Sequence, residues 1–349
     1  MEMKTTVTKE TKNRIRVDYE GKLSIKERLM KKLSASNTWI TAIINVFKFI
    51  LMLGVSYVIL YPFFARIAGS FMTKEDIVDA TVSLIPKHFT LDIYKYIIIE
   101  NHYFDALLNT TLLSLLCALI QTMIACLIGY GLAKFKFKGN KLVMGAVVVT
   151  MIIPHGTLKL SLVRHFTNFD LMRVLAWPYK GIIEVVNGST LDLSNTFWPL
   201  IVLSIFGLAF KNGLYIYLMR QFFKGVPDEL EESAYVDGSG VFRTFFQIIL
   251  PLAVPMMITV FLFSFSWQWT DEFYTTSFFF NTVNKTYLMP DIYTVIPDSL
   301  RADNFAGKAL WENVIQNTAG IMIIAPLVIV YLFCQRYLVQ GIERSGLVG

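Results

Sequence analysis

The residues able to hold a partner or a ligand fall in two short stretches. Between Arg220 and Pro251 a polar segment separates two apolar runs. Asp228, just after Pro227, can cap a helix whose first turn carries Glu229, Glu231 and Glu232, where the helix dipole favours negative charge. Gly238 can end that helix, because glycine accepts the left-handed backbone that a helix stop often needs. A second short helix, Val241 to Ile249, is expected before Pro251. Two short helices at a sharp angle, one acidic and one apolar, make a knob that can enter a groove on another protein. The other stretch, Trp267-Gln-Trp-Thr-Asp-Glu272, sets aromatic faces beside directed polar groups. That mixture suits a solute with apolar C–H faces and a rim of hydroxyls. Positions 267 and 271 share one helix face, while 268 and 269 are turned away from it by roughly 100° and 200°. The expected ligand face is therefore Trp267 and Asp271 with Gln268 beside it; the alternative is an aromatic belt at a membrane interface.

Nothing comparable points to catalysis. The chain has no G-x-x-x-x-G-K-[ST] phosphate loop and no H-E-x-x-H, and Gly21-Lys22 and Gly307-Lys308 lack the residues such a loop requires. Cys117, Cys126 and Cys334 have no C-x-x-C spacing, so neither a disulfide framework nor a metal site is expected. No catalytic residue is assigned.

The elements that position these stretches follow from hydropathy. Hydrophobic residues make up 54% of the 349 and charged residues 17%, with the charges clustered between long apolar runs. A bilayer span needs roughly 20 apolar residues. Six runs qualify: Phe49 to Ala65, Ala106 to Ala133, Leu142 to Leu158, Phe197 through Lys211 to about Met219, Pro251 to Thr270, and Val314 to Gln335. A water-soluble helical protein would have too few polar faces to carry six such runs. Lys211 stands inside the fourth, where a lysine costs roughly 2.5 to 3.5 kcal/mol on insertion scales. With Asn212 it either lines a wet path, pairs across a subunit interface, or snorkels. Asn109, Gln121 and Asn317 are expected to bond between helices, and His155 after Pro154 to pack at a kink.

Orientation follows from lysine and arginine in the short connections. Residues 1–45 are rich in both, and Lys134-Phe-Lys-Phe-Lys-Gly-Asn-Lys141 contains no acid, so both are expected in the cytoplasm. The connection holding Glu75, Asp76, Asp79, Asp92, Glu100 and Asp105 suits the outside. Six spans return the carboxyl terminus to the cytoplasm. Residues 22–48 read either as an amphipathic helix on the inner leaflet or as a polar tail, and no cleaved leader is expected. The net charge of +6 is accounted for by inward-facing loops, so no nucleic-acid partner is implied.

The polar loop also carries a resemblance. Glu232-Ser233-Ala234, three residues, Gly238, nine residues, then Ile248-Ile-Leu250-Pro251 resembles the E-A-A-x3-G-x9-I-x-L-P loop of membrane subunits of binding-protein-dependent ABC importers, with Ser233 for alanine. Three further segments resemble the carbohydrate branch, the class of the maltose permease's second membrane subunit. They are Gly129-Tyr-Gly-Leu-Ala133-Lys-Phe-Lys-Phe137-Lys-Gly139, Met151-Ile-Ile-Pro154, and the tail Gln335-Arg336-Tyr337-Leu-Val-Gln-Gly341, with Gly346 and Gly349. The resemblance implies an all-α membrane protein with the six transmembrane helices of the type I importer permease. It divides the chain into a cytoplasmic segment 1–45, a permease domain 46–340 with its coupling loop at 220–251, and a cytoplasmic tail 341–349. It implies a multi-pass protein of the cytoplasmic membrane whose partners are lipid, a second homologous permease, two ATPase subunits that hold the ATP and Mg, and an extracytoplasmic solute-binding protein. This chain itself would bind no cofactor. On the resemblance, Glu231, Glu232, Ser233, Ala234, Asp237, Gly238, Ile248, Leu250 and Pro251 would couple to the ATPase, and Gln335, Arg336, Gly341, Gly346 and Gly349 would contact it. Trp267, Gln268, Asp271, Lys211 and Asn212 are the candidate substrate path. Import of a carbohydrate, an oligosaccharide above all, is the leading expectation. A permease for another solute, or a carrier or channel working alone, are the alternatives.

Overall fold

The computed structural model describes residues 7–10, 16–19, 36–169, 192–280 and 285–344. The chain divides into two compact units, Met1–Ala65 and Arg66–Gly349. In the first, β1 (Val7–Glu10) pairs antiparallel with β2 (Arg16–Tyr19), Val7 opposite Tyr19. This hairpin is a local departure from the expected all-α chain: valine in both arms, threonine in the first and tyrosine in the second favour a pleated backbone. The expected amphipathic helix at 22–48 lies largely outside the described residues. Helix α1 (Ser36–Gly69) contains the expected first span, and its apolar side chains are exposed from Ile43 to Ile59.

The second unit is helical. In chain order it comprises α2 (Lys74–Val78), α3 (Asp92–Glu100), α4 (Tyr103–Lys134), α5 (Asn140–Ile152), α6 (His155–Thr167), α7 (Trp198–Ile205) and α8 (Asn212–Lys224). There follow α9 (Glu229–Val236), α10 (Val241–Thr244), α11 (Leu250–Trp269), α12 (Phe273–Phe278), α13 (Met289–Thr294) and α14 (Lys308–Arg344). Among the described residues four helices are long and apolar enough to cross a membrane: Ile43–Gly69, Tyr103–Lys134, Val241–Trp269 and Lys308–Leu338.

The expected third and fourth spans are not continuous helices. Leu142 to Leu158 is interrupted at Ile153 and Pro154, both extended, and α6 turns 98° from α5. Proline lacks the N–H that would continue the ladder and disfavours helical backbone in the residue before it. The fourth run ends its first half at Gly207, φ +69°, where Leu208 N–H donates to the Leu203 carbonyl at 2.9 Å and Gly207 N–H to that of Ser204 at 3.2 Å. This pair of bonds is a Schellman stop. Helix α8 starts only after Lys211, itself left-handed at φ +64°. The expected short helix Val241 to Ile249 is corrected in the other direction: a π-helical turn, Phe245–Ile249, joins α10 to α11 without a break.

Helix α4 is the centre of the unit, packing against α8, α11 and α7. Gln121, at its middle, donates to Ser204 Oγ at 3.1 Å and accepts from Ser264 Oγ at 2.8 Å, tying α4 to both α7 and α11. One apolar core gathers Tyr130, Tyr215, Met219, Phe223, Phe245 and Met256. Another lies between α11, α13 and α14 around Trp269, Met289 and Ile315. Asp76 in α2 is buried and accepts from the His88 N–H at 2.8 Å, which with the His88 ring holds its carboxyl below the usual range and ties the connection before α3.

Gly129 marks the closest approach of α4 to α8. A Cβ there would stand 2.7 Å from Met219 Cβ and 2.9 Å from the Arg220 backbone nitrogen. Gly131, two residues on, has no atom within 4 Å of that position. Gly129→Ala is therefore expected to destabilise the protein by about 1 to 3 kcal/mol through overpacking, read as a lowered melting midpoint in detergent. Gly131→Ala should be neutral or slightly stabilising, since alanine favours helix; equal effects of the two would contradict this packing.

Candidate functional site

The loop at 220–251 is held at its start by a residue that sequence reading passed over. Lys134, last of α4 and almost wholly buried, donates from Nζ to the Val226 carbonyl at 2.6 Å and to Asp228 Oδ1 at 2.5 Å, with Glu231 Oε2 at 3.9 Å. Asp228 makes no side-chain cap, contrary to the sequence expectation; the stronger pull of the ammonium takes its carboxylate. That same ammonium lowers the Asp228 carboxyl. Glu231 is buried, whereas Glu232, Ser233 and Asp237 are exposed and Ala234 packs inward. The spacing of the acids gave the helix, but only contact with α4 shows which acid turns inward.

The helix stop falls where the sequence places it. Gly238 has φ +79°; its N–H donates to the Tyr235 carbonyl at 3.0 Å, and that of Ser239 to Ala234 at 2.9 Å. On either side of the stop, Val236 is 87% exposed and Phe242 81% exposed. The turn between α9 and α10 thus presents apolar side chains with no cover from this chain. Ile248 and Leu250 lie along the continuous helix, partly buried, and Pro251 is exposed at its N-terminal end.

Across the helical unit from this loop, the two helix breaks face one another around a cavity of about 530 Å3. Met151, Pro154 and His155 line it from the first break, Gly207, Lys211 and Asn212 from the second, and Tyr274 from α12. The Lys211 ammonium lies 4.9 Å from the ring centre of Phe210 and 5.0 Å from that of Trp267. Phe210 in turn contacts Trp267 edge-on at 5.5 Å and the His155 ring at 4.6 Å. A smaller cleft beside it is lined by Gln121, Phe210, Ser264, Trp267, Gln268 and Asp271. The structure therefore brings all five residues of the expected substrate path around Phe210, which sequence reading had not singled out. Trp269, by contrast, is buried and donates to the Ile323 carbonyl at 3.0 Å.

Two of these residues carry unmet hydrogen-bonding capacity. Asn212 is fully buried with neither side-chain atom bonded among the described residues, and Gln268 Nε2 is likewise buried without an acceptor. Asp271 has structural work: its carboxylate accepts the Tyr274 N–H at 3.1 Å and so starts α12. Burial pushes this carboxyl up to about 7. Among the described residues no cluster of three or more His, Cys, Asp or Glu is arranged to hold a metal. Of the expected tail contacts, Gln335 and Arg336 are exposed on α14, Arg336 donating to the Tyr337 hydroxyl at 2.6 Å. Gly341 lies within that helix, and Gly346 and Gly349 lie outside the described residues.

Residues 121–344 match a family model described as binding-protein-dependent transport system inner membrane component. The polygalacturonan/rhamnogalacturonan transport system permease protein of Bacillus subtilis is 26% identical over 310 residues, covering 87% of this chain and 97% of that protein. The galactooligosaccharides transport system permease protein of the same organism is 27% identical over 309 residues, covering 87% and 95%. An alpha-glucoside transport system permease protein of Rhizobium meliloti is 30% identical over 268 residues, covering 76% and 62%. Among solved structures, a bacterial ABC transporter involved in import of the acidic polysaccharide alginate superposes with a TM-score of 0.61 at 20% identity, covering 87% of this chain and 98% of that one.

Removing the Lys134 ammonium leaves the Val226 carbonyl and the buried Glu231 carboxylate without it. Lys134→Gln is expected to loosen the loop by about 1.5 to 3 kcal/mol, the range for a hydrogen bond to a charged group. Amide exchange across α9 should speed up correspondingly while that of the α4 midpoint does not change. Because the Asp228 carboxyl is lowered in the folded chain, its share of the contact is complete above the ordinary aspartate value. That share is lost as pH falls through the lowered one. Protection of α9 should therefore decline only in acid, and a loss near neutral pH would contradict the assignment.

Proposed function

The chain belongs to the family of binding-protein-dependent transport system inner membrane components, and on that premise we propose that it forms one half of the path by which an ATP-driven importer brings in an oligosaccharide. It is a transport component and not an enzyme, and the hydrolysis of ATP belongs to a partner. The cargo reading is supported by relatives named for galactooligosaccharides, polygalacturonan and alpha-glucosides, and by the aromatic and amide groups around Phe210. Six crossings follow if the broken pairs α5–α6 and α7–α8 are each counted as one. Both termini then lie in the cytoplasm, in line with the lysines and arginines of residues 1–45 and 134–141.

The observation that carries the coupling half of the proposal is the apolar, uncovered turn at 236–242, set in the Glu232 to Pro251 motif. An exposed apolar patch on a rigidly held loop is a protein-docking surface, and the partner it fits is the ATPase. The site comprises the inward Glu231 and Ala234, the outward Glu232, Ser233 and Asp237, the Gly238 stop, and Ile248, Leu250 and Pro251 on the helix that leads back into the membrane. The tail from Gln335 to Gly349 is proposed as a second contact on the same side.

The test is substitution at the stop. Nothing stands within 4 Å of a Cβ on Gly238, so Gly238→Val acts through its left-handed backbone alone, at about 1 to 2 kcal/mol. It should leave membrane insertion intact and lower ATP-driven uptake. Phe242→Glu should lower co-purification of the ATPase without changing the melting midpoint. Normal uptake by the Gly238 variant at normal abundance would refute the coupling role. Labelling of a tag at Gly349 by an impermeant reagent from outside would refute the six-crossing arrangement.

A further inference from the structure

The cavity between the two helix breaks has a charge that a neutral sugar does not call for. Lys211 heads it from a backbone of φ +64°, a conformation that a side chain other than glycine, asparagine or aspartate adopts rarely. Such strain persists where the surroundings over-determine it. The surroundings here are Phe210 and Trp267, whose faces hold the ammonium at 4.9 and 5.0 Å. Among the described residues no acid lies within ion-pair distance of it. The nearby carboxylate, Asp271, is engaged by the Tyr274 N–H and not by the lysine. His155 lines the same cavity, and Lys159, one turn further along α6, reaches the Phe273 ring at 5.7 Å. Lys211 is thus the charged group in a largely apolar lining, with the Phe210 and Trp267 rings at the adjoining cleft and the buried, unpartnered amides of Asn212 and Gln268 close by.

Each group matches a part of one ligand class. A half-buried ammonium with no acid within ion-pair distance among the described residues favours an anion. Aromatic faces take the C–H face of a sugar ring. Asn212 has both oxygen and nitrogen unmet but no exposed surface, so a side-chain rotation is what would bring its donor and acceptor to vicinal hydroxyls. A volume of 530 Å3 lies within the roughly 300 to 1,000 Å3 of small-molecule sites.

Resting on the carbohydrate reading above, we propose that this cavity is a subsite for an acidic sugar residue, a hexuronate, whose carboxylate is received by Lys211. The ring lies on the side of the cavity that adjoins the Phe210 and Trp267 cleft, and its hydroxyls reach Asn212 once that buried side chain turns outward. The subsite makes the chain selective for uronate-containing oligosaccharides over their neutral counterparts.

The importer, assembled from this chain with its own second permease, ATPase and binding protein in proteoliposomes, is offered trigalacturonate and trimannuronate against galactotriose and mannotriose. ATP-driven uptake of a uronate trisaccharide is expected. Lys211→Gln should lower that uptake about tenfold, as expected for loss of a charge-assisted hydrogen bond, while uptake of any neutral trisaccharide changes less than about twofold. Lys211→Arg should restore most of the uronate uptake. In all three proteins, assembly and the ATPase activity stimulated by the binding protein should be alike, which a purely structural lysine would not allow. Uptake of the neutral sugars alone, or equal loss of acidic and neutral uptake in Lys211→Gln, would overturn the uronate subsite and leave the carbohydrate reading standing. Uptake of none of the four would overturn both.

Discussion

A backbone N–H or C=O that cannot reach water must be satisfied within the protein, and in a chain that crosses a bilayer this constraint decides where helices are permitted to stop. Here two stops fall inside apolar runs, at Ile153–Pro154 and at Phe206–Lys211, and they face each other across one cavity. Irregular backbone at such depth is tolerated only where protein covers it or where it lines a polar space. The Schellman bonds at Gly207 satisfy part of the first half-helix's end, and Gln121 holds that half-helix to the central one through Ser204. What remains unsatisfied, above all the Asn212 side chain, lies buried in the cavity wall. The breaks, the cavity and the strained Lys211 are one feature.

The same economy links the cavity to the opposite end. Helix α11, joined to α10 through the π turn, runs unbroken from Val241 to Trp269, a length of roughly 43 Å at 1.5 Å per residue. One end abuts the exposed turn at Gly238 and Phe242; the other carries Trp267 and Gln268. Lys134 fixes the start of the loop to α4, and Gln121 fixes α4 to α11 near the cavity. A displacement imposed on the turn therefore has a continuous element along which to travel, whose regularity is interrupted by the π segment and by Pro255. That is the kind of connected element that coupling between distant sites requires.

How much of this could be read from residues alone depends on whether the deciding partner was near in sequence. Gly238 and Gly207 end helices by the same pair of bonds, yet only Gly238 was legible, because acids at the helix start and a fresh apolar run after the stop framed it. Gly207 sits within unbroken hydrophobicity, where a span-length window averages the stop away. Pro154 was visible as a kink, but its size, 98°, was not, and neither was the packing of α6 against α12 beyond it. Asp228 was read as a cap because local rules favour it there; Lys134, 94 positions away, outbids the backbone. The grouping of Trp267, Gln268 and Asp271 on one side came from helical geometry, whereas their meeting with Lys211 around Phe210 needed the fold.

Buried polar atoms without partners sharpen the same division. Several are hydroxyls, Ser114, Thr122 and Tyr215 among them, and a hydroxyl can rotate toward whatever acceptor its surroundings offer. Asn101 leaves only its oxygen unmet, because its amide nitrogen bonds the Val295 carbonyl at 2.7 Å. Asn212 leaves both side-chain atoms unmet, and Glu231 and Gln268 leave one each. Burying such atoms unpaired costs more than any local packing gain repays, and natural sequences retain violations of this kind mainly where function requires them. Glu231 lies at the loop beside Lys134, and the two amides lie at the cavity. Asn212, which among the described residues leaves both side-chain atoms unmet, therefore stands at the cavity, and the buried Glu231 at the loop, the two ends being joined by α4 and α11.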